Sequence, residues 1–170
     1  MPASGVFSKL QLKDQQTIVV LDPPGTFEKE LNALKGVEVE RRFTGAKVGF
    51  VLAFMTKRAE LERFATGLQG RADGDAVVWV AYPKGSSKRY QSDIGRDAGW
   101  QELGRLGYEP VRMVAIDHDW TALRFRKAEF IKLLKRSSEH AISRVGKARA
   151  GARRGQERKE TGRRKGKRRT

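Results

Sequence analysis

Ala76-Val77-Val78-Trp79-Val80-Ala81-Tyr82 is an apolar run with no polar residue alternating through it. A strand with one wet face alternates. A short continuous run instead suits a strand covered on both faces, as in parallel sheets. Pro83-Lys84-Gly85 stops the run with turn chemistry. Val48-Gly49-Phe50-Val51-Leu52-Ala53-Phe54 reads the same way, as does the shorter Thr17-Ile18-Val19-Val20-Leu21, which Asp22-Pro23-Pro24-Gly25 ends.

Helical spacing fills the gaps. Phe27, Leu31 and Leu34 follow Thr26, a candidate cap, and Gly36 lies just beyond them. Thr56 precedes Leu61, Phe64, Ala65 and Leu68, and residues 97–107 place Trp100, Leu103 and Leu106 on one face. Residues 37–40 alternate as a half-exposed strand does. Residues 110–116 and 121–126 read as two strands joined by Asp117-His118-Asp119-Trp120. Residues 127–145 read as a last helix, with Phe130, Leu134, Ala141 and Val145 on one side. Strands alternating with helices predict an α/β fold: a three-layer, open, mostly parallel sheet with a C-terminal antiparallel hairpin. A split βαββαβ arrangement of the α+β class fits the order as far as residue 82. It ranks second, because the third helix and last two strands then need a separate explanation. The expected organisation is a flexible start over 1–9, an α/β domain over 10–145 and a disordered Lys/Arg-rich tail over 146–170.

The chain has 170 residues, enough for one sizeable core, and a formal net charge of +16. That charge is uneven. Residues 144–170 hold 13 Lys and Arg against 2 Asp and Glu, and the rest of the chain holds the other 23 and 18. The basicity therefore belongs mostly to the tail. There is no cysteine, which excludes disulfides and thiolate metal sites. No basic-then-apolar leader opens the sequence, and the longest apolar runs fall short of the ~20 residues that span a bilayer. A soluble, cytoplasmic protein is expected, with no membrane partner.

If the strands at 17–21, 48–54, 76–82 and 111–116 run parallel, their carboxyl ends share one edge of the sheet, where open α/β sheets bind ligands. The loops there carry Asp22, Lys84, Ser86, Ser87, Lys88, Asp117 and Trp120, with Arg96 near a helix start. Lysines supply point charge, and hydroxyls and free N–H groups supply directed donors, so Lys84, Ser86, Ser87, Lys88 and Arg96 are candidates for holding a small anion. The plainer reading of Gly85-Ser86-Ser87-Lys88 is a solvated turn, and it is not a P-loop. A Ser–Lys nucleophile would need a lysine desolvated enough to be neutral. Asp117-His118-Asp119 reads as a turn whose carboxylates bond nearby N–H groups rather than as a metal site, since only His118 and His140 exist. No metal and no cofactor are expected. Trp79 and Trp100 read as core, and Trp120, beside the acidic turn, as a possible ring contact. Arg124 and Arg126 alternate with Leu123 and Phe125, as arginines on a ligand face or in surface ion pairs would.

The tail has its own chemistry. Residues 149–170 contain no aromatic and no large aliphatic residue, so they cannot build a core. Arg149, Arg153, Arg154, Arg158, Lys159, Arg163, Arg164, Lys165, Lys167, Arg168 and Arg169 are candidates for contacting the backbone of DNA or RNA. Without a scaffold they would read charge rather than sequence.

The stretch from Trp79 to Arg126 resembles a bacterial domain family of unknown function. Its members carry Tyr-Pro-Lys with Ser nearby, then Asp and Trp, then Ala-Ile-Asp-x-x-Trp-(Ser/Thr)-Ala-Leu-Arg-Phe-Arg. The corresponding residues here are Tyr82-Pro83-Lys84, Ser86 or Ser87, Asp93, Trp100, Ala115-Ile116-Asp117 and Trp120 through Arg126. The resemblance covers most of residues 10–130. It implies a domain and no particular activity. The element order also looks like a shortened nucleotide- or methyl-donor-binding α/β fold. Those folds need a glycine-rich turn after the first strand. Here Asp22-Pro23-Pro24-Gly25 removes two N–H donors, which argues against such a ligand bound in the usual way.

Overall fold

A computed structural model of the chain describes residues 5–96, 99–132 and 141–148. Six strands form one sheet: β1 (Thr17–Leu21), β2 (Glu38–Glu40), β3 (Val48–Phe54), β4 (Ala72–Pro83), β5 (Tyr108–Ala115) and β6 (Trp120–Lys127). Their order is β2-β1-β3-β4-β6-β5. The first four pair in parallel, and β6 is antiparallel to both β4 and β5. The parallel half excludes the split βαββαβ alternative. The fold is α/β with a mixed sheet, and its hairpin forms one edge.

The apolar runs lie where both faces are covered. In β4, Val78, Val80 and Tyr82 join a cluster with Leu61, Phe64 and Leu68 of α3 (Arg58–Leu68) and Leu103 of α4 (Gln101–Arg105). Val77, Trp79 and Ala81 face the opposite cluster, with Phe7 of α1 (Val6–Lys9) and Leu31 of α2 (Glu28–Asn32). One strand thus feeds two cores, which is why its sequence never alternates.

Local details differ from the sequence expectation at several points. Residues 6–9, expected within a flexible start, form the helical turn α1 with Val6 and Phe7 buried. The buried Trp79 Nε1 donates to the Leu10 carbonyl at 2.8 Å and ties this segment to the sheet. Neither Thr26 nor Thr56 caps a helix through its hydroxyl. The start of α3 is held otherwise: Arg58 N donates to the distant Asp93 Oδ1 at 2.8 Å, and Thr56 N to the nearby Glu60 Oε2 at 3.2 Å. The expected helix over 127–145 does not start there. Lys127 ends β6, residues 128–130 make a 3-10 turn, and 141–143 are not helical. Residues 144–148 are helical, and Gly146, assigned to the tail by sequence, is buried. Residues 149–170, with all the tail's candidate contacts, lie outside the described residues. Among the described residues, no helix is long and apolar enough to cross a membrane.

Candidate functional site

Because β5 is antiparallel to β6 and β6 to β4, β5 runs in the same direction as β1, β3 and β4. Their carboxyl ends therefore share one edge of the sheet, and two separate clefts open along it.

The larger cleft, about 940 Å³, lies over the ends of β4 and β5 and the start of β6. Its apolar surface comes from Tyr82, Pro83, Ile94, Met113 and Ala115, and its polar surface from Lys84, Ser87, Gln91, Ser92, Arg96 and Thr121. Lys84 is half-buried and Arg96 exposed. Among the described residues, no carboxylate pairs with either cation. Among the described residues, no Asp, Glu or His side chain lines the cleft, so these residues offer it positive charge but no carboxylate or imidazole.

The smaller cleft, about 420 Å³, lies between the ends of β1 and β3. The chain leaves β1 toward β2 on one side and returns to β3 on the other, so this is the crevice where the strand order reverses. Asp22, Glu60 and Arg63 face it, among Phe43, Phe54, Met55 and Phe64. Asp22 sits in the left-handed region at φ 49, which gives β1 an abrupt exit into Pro23-Pro24.

The structure brings together only some of the residues singled out from sequence. Lys84, Ser87 and Arg96 line the larger cleft, and Asp22 lines the smaller one. Ser86 and Lys88 are exposed at the turn and line neither. Ser87 is spent on the loop: its Oγ donates to Asp119 Oδ1 at 2.8 Å and accepts from Tyr90 N at 3.3 Å. A Ser87–Lys84 nucleophile is therefore not what the geometry builds. Lys84 N donates to the Asp119 carbonyl at 2.7 Å, so the two loops are stitched into one unit.

Asp117 is the organiser of its turn: its Oδ1 accepts from Asp119 N and Trp120 N, both at 2.8 Å. Trp120 is not a ligand contact. It is 4% exposed and packs against Phe54 and Tyr90 at ring distances of 5.2 and 5.0 Å. Flanking acids suggested exposure, but Asp117 caps the turn and Asp119 bonds Ser87 while the ring turns into the core. Arg124 lies away from the strand ends, opposite Trp79 in the β4–β6 register, with its Nη1 on Gln11 Oε1.

Sequence reasoning missed Gln91, Ser92 and Met113 in the larger cleft, and Phe43, Glu60 and Arg63 in the smaller. Gln91 and Ser92 had a usable signal, since they lie in the long connection that leaves the carboxyl end of β4. Met113 had none, because a strand methionine reads as core.

No protein-family model and no curated protein matches the chain. Among solved structures, the chain is similar to a SAM-dependent methyltransferase from Aquifex aeolicus, at 17% identity and a TM-score of 0.42, over 72% of this chain and 88% of that one. It is also similar to magnesium protoporphyrin IX methyltransferase from Synechocystis PCC 6803, at 10% identity and a TM-score of 0.45, over 72% of this chain and 78% of that one.

Proposed function

We propose that the domain binds a small ligand carrying an anionic group in the larger cleft at the strand carboxyl ends. The observation behind this reading is the convergence of Lys84 and Arg96, neither with a carboxylate partner among the described residues, on a cleft with an apolar floor. Lys84 and Arg96 hold the anion, the Gln91 amide orients it, and Tyr82, Ile94 and Met113 contact the ligand's apolar body. Among the described residues no carboxylate or imidazole lines the cleft, which favours binding over acid–base catalysis. The test is thermal unfolding with a panel of aromatic and aliphatic carboxylates and phosphate monoesters. A ligand at ~100 times its Kd stabilises by about 2.7 kcal/mol. The shift should vanish in Lys84→Ala and Arg96→Ala and persist in Lys88→Ala. A panel without effect, or shifts that survive both cleft substitutions, would reject the reading.

The charge split supports a second reading, in which residues 149–170 hold the protein on DNA or RNA through backbone phosphates. Removing those residues should abolish most of the affinity at low salt. Unchanged affinity would reject a role for the tail.

A further inference from the structure

The β5–β6 hairpin carries an arrangement that neither cleft uses. Arg112 of the edge strand β5 stands directly opposite Arg124 of β6. Arg126 lies two residues further along β6, on the same face and roughly 7 Å away. Like charges directly opposite across a sheet are destabilising, so the pair has a standing cost in the unliganded protein.

Their acceptors fall short of their donors. Arg126 is satisfied by both oxygens of Asp75. Arg124 is half-buried and donates Nη1 to Gln11, while its Nε is buried with no acceptor among the described residues. Burial and its neighbours Arg126 and Arg112 pull the Arg124 pKa down, and Asp75 only partly opposes them. Arg112 is exposed, and its guanidinium has no partner among the described residues. The facing residue of Arg126 on β5 is Glu109, whose carboxyl is occupied by Ile142 and Ser143. The row is thus short of negative charge.

We propose that Arg112 and Arg124, beside the Asp75-paired Arg126, form a phosphate-binding face of the folded domain, and that its occupant is the phosphodiester backbone of a nucleic acid. The proposal rests on the polyanion reading of the chain and moves part of the contact from the tail onto the sheet. Guanidinium groups match phosphate oxygens in bidentate geometry. A row on an open edge hairpin suits an extended polyanion rather than a small ligand, which needs enclosure. A membrane surface is the weaker partner, because residues 149–170 contain no large apolar side chain to enter it.

The test uses the full chain and a labelled DNA duplex, with affinity measured across a salt series. Four proteins are compared: wild type, Arg112→Ala, Arg112→Lys, and one with Arg163, Arg164, Arg168 and Arg169 changed to Gln. Arg112→Ala should flatten the slope of log K against log salt by about one, and Arg112→Lys should restore it. A weakened tail variant alongside a wild-type slope in Arg112→Ala would reject the face and keep the tail reading. The reverse pattern would keep the face and reject the tail. No change in any variant would reject both. Arg112→Ala should also unfold no more easily than wild type without DNA, and a clear loss of stability would make the residue structural and overturn the proposal.

Discussion

Glu109 of β5 accepts hydrogen bonds from Ser143 N at 2.7 Å and Ser143 Oγ at 2.8 Å, across 34 residues of sequence. The same carboxyl takes Ile142 N at 2.9 Å, and Ser143 Oγ accepts Gly146 N at 2.9 Å. Glu109 is 1% exposed. Ser143 thus caps the helical segment 144–148, and the buried Glu109 carboxylate holds the cap in place. Two glycines make the approach possible: a side chain at Gly146 would collide with Glu109, and one at Gly104 with the Ile142 backbone.

Glu109→Ala should therefore release residues 141–148. The donors it leaves would reach water only by undocking, and the expected cost is about 2–4 kcal/mol. Chemical denaturation measures the cost, and limited proteolysis should show new cleavage near 141–148. Gly146→Ala should reproduce the proteolysis. Unchanged protease resistance in both variants would show that the segment is held by other contacts.

The Tyr108 phenol is buried, and burial followed by the nearby Glu129 pushes its pKa up to about 12 from 10.0. The folded state therefore keeps this proton where the unfolded chain would lose it. Stability from this group is complete below pH 10 and is lost as the pH rises from 10 through 12. Denaturation midpoints measured across that window should fall, and Tyr108→Phe should flatten the fall. An ultraviolet titration should show one tyrosine ionising last in the wild type and missing in the variant.

Trp79 and Trp120 make a matched pair for testing buried donors. Trp79 Nε1 bonds the Leu10 carbonyl, whereas Trp120 Nε1 is buried without an acceptor among the described residues. Changing either to Phe leaves a void of similar size, but only Trp79→Phe breaks a hydrogen bond. Trp79→Phe should cost roughly 1–2 kcal/mol more than Trp120→Phe. It should also speed amide exchange over residues 6–12. Equal costs for the two would mean that the Leu10 bond contributes little.

Gly67→Ala addresses the smaller cleft. An added Cβ would meet the Phe43 ring at 2.8 and 2.9 Å, and Phe43 stacks on Phe64 at 6.2 Å and under Arg71 at 5.7 Å. The ring has to move, which reshapes the crevice between β1 and β3 without touching the larger cleft. Stability should fall by about 1–3 kcal/mol, with ligand binding at Lys84 and Arg96 unchanged. A parallel loss of that binding would show that the two clefts are coupled.

Much of the scaffold was legible in the chain. The runs ending at Leu21, Phe54 and Tyr82, the helix carrying Leu61, Phe64 and Leu68, and the hairpin around Asp117–Trp120 were all readable as patterns of burial or turn chemistry. The carboxyl-edge loops followed from strand direction. The site was legible only in part. Lys84 and Arg96 met in one cleft, but Ser87 and Asp117 turned out to hold the loops together. Trp120 faced inward, packed on Phe54 and Tyr90, while the Asp117 carboxylate bonded the turn backbone and that of Asp119 bonded Ser87. Glu109 lay just outside the strand expected over 110–116, and nothing near it in sequence pointed to Ser143.

What the sequence determined by itself was that strands buried on both faces alternate with amphipathic helices, because burial is written residue by residue in side-chain chemistry. Only the tertiary structure decided that β6 lies between β4 and β5, that Arg112 faces Arg124, and that one continuous edge divides into two clefts. Those facts depend on register between segments far apart in the chain. A shift of one residue there would send every side chain to the other face, and no local pattern records which partner a strand will meet.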